Sequence, residues 1–446
     1  MKKMYIWIII AMWFSQVHAQ GVLSLDQCVE LALQNNIGLK NSQLNVRAAE
    51  QVKKSAFTRY FPQVNAGGMM FQTNRKLLDL EMPGGNLPVY DGYPANLASA
   101  SQFAYFPGFG MSMLEKGTVG YVNAMQPLFT GGRIINGNKL ASVGTKASEY
   151  QYNLARDKVV LETGEQYWQI VSLNEKAATV ASYIELLKNL QKQVQDAYHS
   201  GVVMKNDVLK VQLELNRILL GQSKLLNGKK LATMAFCRHL GVELDSVLVL
   251  RDPMSVNDSP ETFYVDKFAA LPTRDEYQLL KLSVRAAKLS TRMKVGEMLP
   301  TAGVGVSGMY YKVDDMDDDN FTMAYGMVSI PISGLWSGCH QVEEKKAKEH
   351  IAENDFNDNT QLLLLQMEKA WQDFSDAYKQ YQLSLSAREQ AVENLKVNQD
   401  SYDNGLVTVS DLLEARALLQ EAENELTDAK AHYLTSKTRY LQVTGR

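Results

Sequence analysis

The chain has 446 residues, with 46 Lys plus Arg against 49 Asp plus Glu, a net charge of −3 and 46% hydrophobic residues. That balance is too apolar for a disordered chain and leaves no basic footprint for nucleic acid. The 11 prolines are unevenly spread, with none in residues 128–252 or 332–446; an interior proline costs a helix about 3 kcal/mol, so both tracts can hold unusually long helices, and a compact enzyme domain is a poor fit.

The first element is a leader. Lys2 and Lys3 form a basic start, residues 5–14 are apolar, and Val17-His18-Ala19 offers small residues for a signal peptidase, so residues 1–19 read as a signal peptide cut before Gln20. The apolar run is too short to cross roughly 30 Å of hydrocarbon. No cysteine stands at the cut to carry a lipid anchor. No later run is long enough for a membrane helix, which leaves open a membrane β-barrel, whose strands alternate.

A first structural repeat is expected over residues 20–250. Ser24-Leu25-Asp26-Gln27 has the capping-box pattern, opening a helix that runs to about Phe61. A strand follows at about 63–74. Residues 75–116 carry Pro83-Gly84-Gly85, Pro88, Pro94 and Pro107-Gly108, the signals of a loop insertion. A second strand at about 117–129 shows Val119, Tyr121, Met125 and Phe129 on one face. Two long helices then flank a turn at Gly201.

The second repeat, residues 251–446, has the same order. Arg47-Ala48-Ala49 recurs as Arg285-Ala286-Ala287, Phe61-Pro62 as Leu299-Pro300, and Tyr121 and Pro127 as Tyr325 and Pro331. Strands are expected at about 301–312 and 321–331, each with apolar residues facing small or polar ones, as suits a tilted membrane strand. Between them lie Asp314, Asp315, Asp317, Asp318 and Asp319, which lack the glycine of a calcium loop and read as a solvated hairpin. Long helices with coiled-coil-like apolar spacing surround a turn in which Tyr402-Asp403-Asn404-Gly405-Leu406-Val407 matches Tyr198-His199-Ser200-Gly201-Val202-Val203. Gly201 and Gly405 suit the left-handed end of a helix, Asn206 or Ser410 can cap the next one, and Asp207 and Asp411 fall in its first turn.

Four strands cannot close a barrel, and an open edge in hydrocarbon leaves backbone groups unsatisfied, so membrane strands here require several copies of the chain. Two copies supply eight strands, and three supply twelve and a lumen.

The Leu25-to-Asn36 opening, the Gln126-Pro127-Leu128-Phe129-Thr130-Gly131-Gly132-Arg133 junction and the two Tyr-x-x-Gly-x-x-x-x-x-Asp-x-Leu turns together resemble the TolC family of bacterial outer-membrane efflux proteins. The resemblance covers essentially all of the mature chain. It implies a mainly α fold with membrane β structure: four strands per chain in a 12-stranded barrel of a homotrimer, continued by a long periplasmic α-helical barrel. It also implies a passive exit duct in the bacterial outer membrane, working with a periplasmic adaptor protein and an inner-membrane efflux pump of RND or ABC type. No cofactor, resident metal, nucleic-acid partner or enzymatic activity is implied, and the barrel would face outer-membrane lipid.

Carried over residue by residue, the resemblance makes Asp411, Glu414 and Asp207 a periplasmic gate and Gly201, Val202, Gly405, Leu406 and Val407 the adaptor-docking tip. Asp411 and Glu414 share one helix face. One departure stands out: Val407 occupies the place of a basic residue that ties the closed tip together in well-known members, and Lys205 is the nearby substitute. A type I protein-secretion channel and a periplasmic coiled-coil scaffold are the rival readings. The six histidines are scattered, and Cys339-His340 near Glu343 and Glu344 lacks metal-site geometry because adjacent helical residues diverge by about 100°. Cys28, Cys237 and Cys339 read as small buried or half-buried hydrophobes.

Overall fold

The computed structural model describes residues 22–74, 78–90, 92, 94, 101–113, 116–244, 248–313, 318–332 and 334–446. The leader and Asp314, Asp315 and Asp317 lie outside them. In chain order the elements are β1 (Val22–Leu23), α1 (Leu25–Asn35), α2 (Ile37–Thr58), β2 (Gln63–Gln72), β3 (Leu78–Met82), β4 (Gly85–Pro88), β5 (Phe103–Phe106), β6 (Phe109–Met113), β7 (Lys116–Thr130), α3 (Arg133–His199) and α4 (Lys205–Leu240). Then come β8 (Val249–Leu250), α5 (Lys267–Ala270), α6 (Asp275–Gly296), β9 (Thr301–Val313), β10 (Asp319–Ser329), α7 (Gly334–Asp403) and α8 (Val409–Val443). Helices α3 and α7, in the proline-free tracts, have 67 and 70 residues.

The chain divides into two compact units that are not the two sequence repeats. Among the described residues, one takes those up to Glu50 with Val143–Arg285 and Ile351–Arg446, the other Gln51–Ser142 and Ala286–His350, so each repeat contributes to both.

The second unit holds an antiparallel four-stranded sheet in the order β10-β9-β7-β2. Its register brings the repeats together. Gly67 pairs with Tyr121 and Gly305 with Tyr325, and in both pairs the tyrosine ring lies over the glycine where a Cβ would collide with it. The Tyr325 hydroxyl donates to Asn123 Oδ1 at 2.8 Å, linking β10 to β7 across β9. None of the four hydrophobic clusters contains a residue of these four strands. A sheet without a core of its own needs another apolar surface on its outer face, and β2 and β10 leave open edges.

Residues 75–116 are not a simple loop: β3 pairs with β6 and β4 with β5. The Pro-Gly signals mark a break between these hairpins. Proline cannot donate to a ladder, and a Cβ on Gly108 would stand 2.9 Å from the Gly84 nitrogen. Asp318 accepts from Tyr310 and Lys312, and Asp319 from Tyr311, so this described part of the acidic hairpin braces β9.

The first unit carries the hydrophobic clusters. Cys28, Ala32, Leu39, Tyr167, Trp168, Phe236 and Leu240 form one, and Met367, Phe374, Tyr433 and Tyr440 anchor a second. The helix expected to run unbroken to Phe61 is interrupted at Asn36. Its side chain accepts from the Leu39 N–H at 3.2 Å and donates to the His239 carbonyl at 3.1 Å, an alternative to continuing the helix. The Tyr167 hydroxyl meets Asp252 Oδ2 at 3.0 Å, and the same carboxylate accepts from Leu25 N–H at 2.7 Å, which clasps the chain start to the inter-repeat link. Cys28 is buried and its thiol is pushed up to about 12, chiefly by burial; Cys237 is buried also, whereas Cys339 is exposed.

Candidate functional site

The two duplicated turns lie together in the first unit. Each helix before a turn ends in a Schellman motif. The Val202 N–H donates to the Ala197 carbonyl at 2.9 Å and Gly201 N–H to Tyr198 at 3.0 Å; in the second turn Leu406 donates to Ser401 at 2.8 Å and Gly405 to Tyr402 at 2.9 Å. Gly201 and Gly405 take φ of +76° and +72° with open space around them, so the backbone conformation, and no neighbouring atom, is what requires glycine.

The caps differ from the expected ones. Helices α4 and α8 start at Lys205 and Val409, placing Asn206 and Ser410 inside the first turn and Met204 and Thr408 at the caps. At the third helical position of each, an aspartate reaches back: Asp207 accepts from the Met204 N–H at 3.3 Å, and Asp411 from the Thr408 N–H at 2.8 Å and hydroxyl at 2.7 Å. The Thr408 hydroxyl and N–H hold the exposed Asp411 carboxyl below the ordinary aspartate range. Hydrogen bonds to the charged form are the cause.

Beneath the turns, Leu190, Val194, Val208, Val211, Val409 and Leu412 make one buried cluster with Val203 and Tyr402 against it. All four long helices contribute, so the two hairpins are packed side by side. Val202 and Leu406, one residue beyond each glycine, are each 77% exposed. Val407 is half-buried, and Glu414 is exposed one turn along α8 from Asp411.

The basic residue between the turns is Lys210, one turn further into α4 than Lys205. Its ammonium donates to Ser410 Oγ at 2.7 Å and stands 3.8 Å from Asp207 Oδ1. A second basic group, Arg416, lies deeper: its guanidinium donates to Gln399 Oε1 at 2.8 Å and to the Leu186 carbonyl at 3.5 Å, joining α8, α7 and α3. Burial lowers its pKa, opposed by Tyr183, Asp403 and Tyr402. Neither residue falls in the turn motifs. Its i, i+3 spacing from Asp207 is the one available signal for Lys210, and Arg416 has none.

No helix among the described residues is long and apolar enough to cross a membrane. An open-edged antiparallel sheet in one unit and paired helical hairpins in the other, with each sequence repeat building half of both, define a channel subunit of the outer-membrane type. The chain belongs to the outer membrane efflux protein family, whose model matches residues 28–232 and 281–446. Members are outer-membrane exit ducts of efflux systems, and the chain accordingly resides in the bacterial outer membrane and extends into the periplasm. The fold is similar to the outer-membrane channel OprN, at 16% identity over 94% of this chain and 89% of that one with a TM-score of 0.77. It is also similar to the Campylobacter jejuni CmeC outer membrane channel, at 16% identity, 94% and 85% coverage and a TM-score of 0.73. The outer membrane protein VceC from Vibrio cholerae matches at 14% identity, 94% and 96% coverage and a TM-score of 0.73. Comparison with curated proteins returns no match.

Proposed function

We propose that three copies of this chain form a duct that passively conducts small molecules outward from a periplasmic adaptor and an inner-membrane pump. The observation that carries the reading is the sheet with open edges at β2 and β10. In hydrocarbon such edges leave backbone donors and acceptors unsatisfied at several kcal/mol each, and pairing β2 of one copy with β10 of the next removes both. Three copies then supply twelve strands and a lumen.

In this reading the paired turns are the periplasmic mouth. Val202 and Leu406 present apolar contacts to the adaptor, with Gly201, Gly405 and Val407 setting the backbone that displays them. Asp207, Asp411 and Glu414 form the gate with divided labour. Asp207 and Asp411 are engaged as caps, while Glu414 has no hydrogen bond or ion pair among the described residues, so it is the more available charge for a passing cation. The hydrogen bonds from Thr408 favour the ionised form of Asp411.

Lys210 takes the role of the basic residue that Val407 cannot supply, holding α4 to α8 through Ser410. Single-channel recording in planar bilayers tests this. Replacing Asp411 and Glu414 by Asn and Gln is expected to lower cation selectivity and raise conductance, and Lys210→Met to raise the open fraction. Recordings identical to wild type for all these variants would remove the gate from this end.

A further inference from the structure

We propose that the end of α2, residues 52–61, is a binding site for anionic phospholipid in the periplasmic leaflet of the outer membrane. The helix closes through a tight turn in which Arg59, Tyr60 and Phe61 N–H groups donate to the Ala56, Phe57 and Thr58 carbonyls at 3.3, 3.1 and 3.0 Å. Pro62 follows and the membrane strand β2 begins at Gln63, so this turn stands where helix gives way to the bilayer-facing sheet.

Two sets of side chains converge there. Phe57 packs edge-to-face with Tyr60 at 5.7 Å and with Phe61 at 5.6 Å, yet Phe57, Tyr60 and Phe61 remain 55%, 38% and 52% exposed. Lys53, Lys54 and Arg59 are exposed around them, and their side chains make no hydrogen bond or ion pair among the described residues. Aromatic rings favour the boundary between headgroups and acyl chains, and basic heads on long apolar stems reach from that depth to lipid phosphates.

The matching end of α6 differs. There Lys294 is paired with Glu297 at 2.7 Å, and Met298 and Leu299 stand where the first copy has Tyr60 and Phe61. The site thus belongs to one repeat only.

A second copy of the chain is a poor occupant by charge. Asn138 already donates to the Ala56 carbonyl at 2.9 Å, placing α3 on one side of the helix. Pairing of β2 with β10 would bring the β10-to-α7 junction to the other; residues 328–342 contain no Asp or Glu to meet three cations, and Glu343 and Glu344 just beyond are already paired with Lys346 and Lys348. Phosphate headgroups supply that charge. The assignment rests on the outer-membrane placement given by the family and is independent of conduction.

The test is electron spin resonance on the full-length protein reconstituted in phosphatidylcholine bilayers, with spin-labelled phosphatidylglycerol or phosphatidylcholine as the probe. The wild type is expected to restrict phosphatidylglycerol with at least about a twofold preference. K53Q/K54Q/R59Q should lose that preference while remaining trimeric, and K53R/K54R/R59K and R292Q/K294Q should keep it. Equal restriction of the two lipids by the wild type, or an unchanged preference in the neutralised variant, overturns the proposal. So does failure of the neutralised variant to trimerise, which would assign the basic end to a subunit contact.

Discussion

At the scale of single residues, the two turns separate what the fold needs from what the duct uses. Gly405 has a φ of +72° and open space where a Cβ would stand, so Gly405→Ala meets conformational strain alone. The expected cost is about 1–2 kcal/mol, read as a lowered thermal midpoint with the trimer retained. Gly131 is a harsher case. Its φ is +62°, and a Cβ there would run into the carbonyl of Gly296, where the turn after β7 crosses the end of α6. Gly131→Ala should cost about 3 kcal/mol or more and deplete the heat-modifiable trimer band on a gel, because neither backbone has room to retreat. The glycines of both turns are legible from the duplicated motif. Lys210 is not, because the contact that defines it, Ser410, lies in the other repeat and nothing along the chain signals the pairing.

At the scale of elements, alternation reveals the strands and missing prolines reveal the long helices, since both patterns follow directly from side-chain period and backbone donors. Three features escape that reading. Asn36 breaks a helix through a bond to His239, a partner far away in sequence. Met204 takes a cap position with an unsuitable side chain because Asp207 supplies the hydrogen bond from the other direction. The paired strands between residues 75 and 116 sit behind turn signals that, in sequence, mark a loop equally well.

Electrostatics at the start of α6 gives a pH prediction. Burial, ahead of nearby charges, raises the pKa of both Asp157 on α3 and Asp275 on α6 from the ordinary 3.8. A raised folded-state value means the protonated form is favoured on folding. The stabilisation is therefore complete below the ordinary aspartate range and lost as pH rises through the raised values. Asp157→Asn, which removes the ionised form, should leave thermal stability less dependent on pH across mild acid and increase it at neutral pH. A variant with an unchanged pH profile would show that Asp157 ionises at no cost.

For the whole molecule, the sheet's isolation is the informative fact. Four strands bear no buried hydrophobic cluster and two open edges, while the helices carry all four clusters. A single copy leaves the strand faces and edges unfinished, and the closure proposed for them comes from lipid outside and two further copies alongside. The most direct measurement is a scan of cysteine pairs, one in β2 and one in β10, oxidised in outer membranes and resolved by mass. Covalent dimers and trimers, and no larger species, are expected for pairs in register. Disulfides confined to single chains, or a ladder that continues past three, would contradict the trimeric barrel.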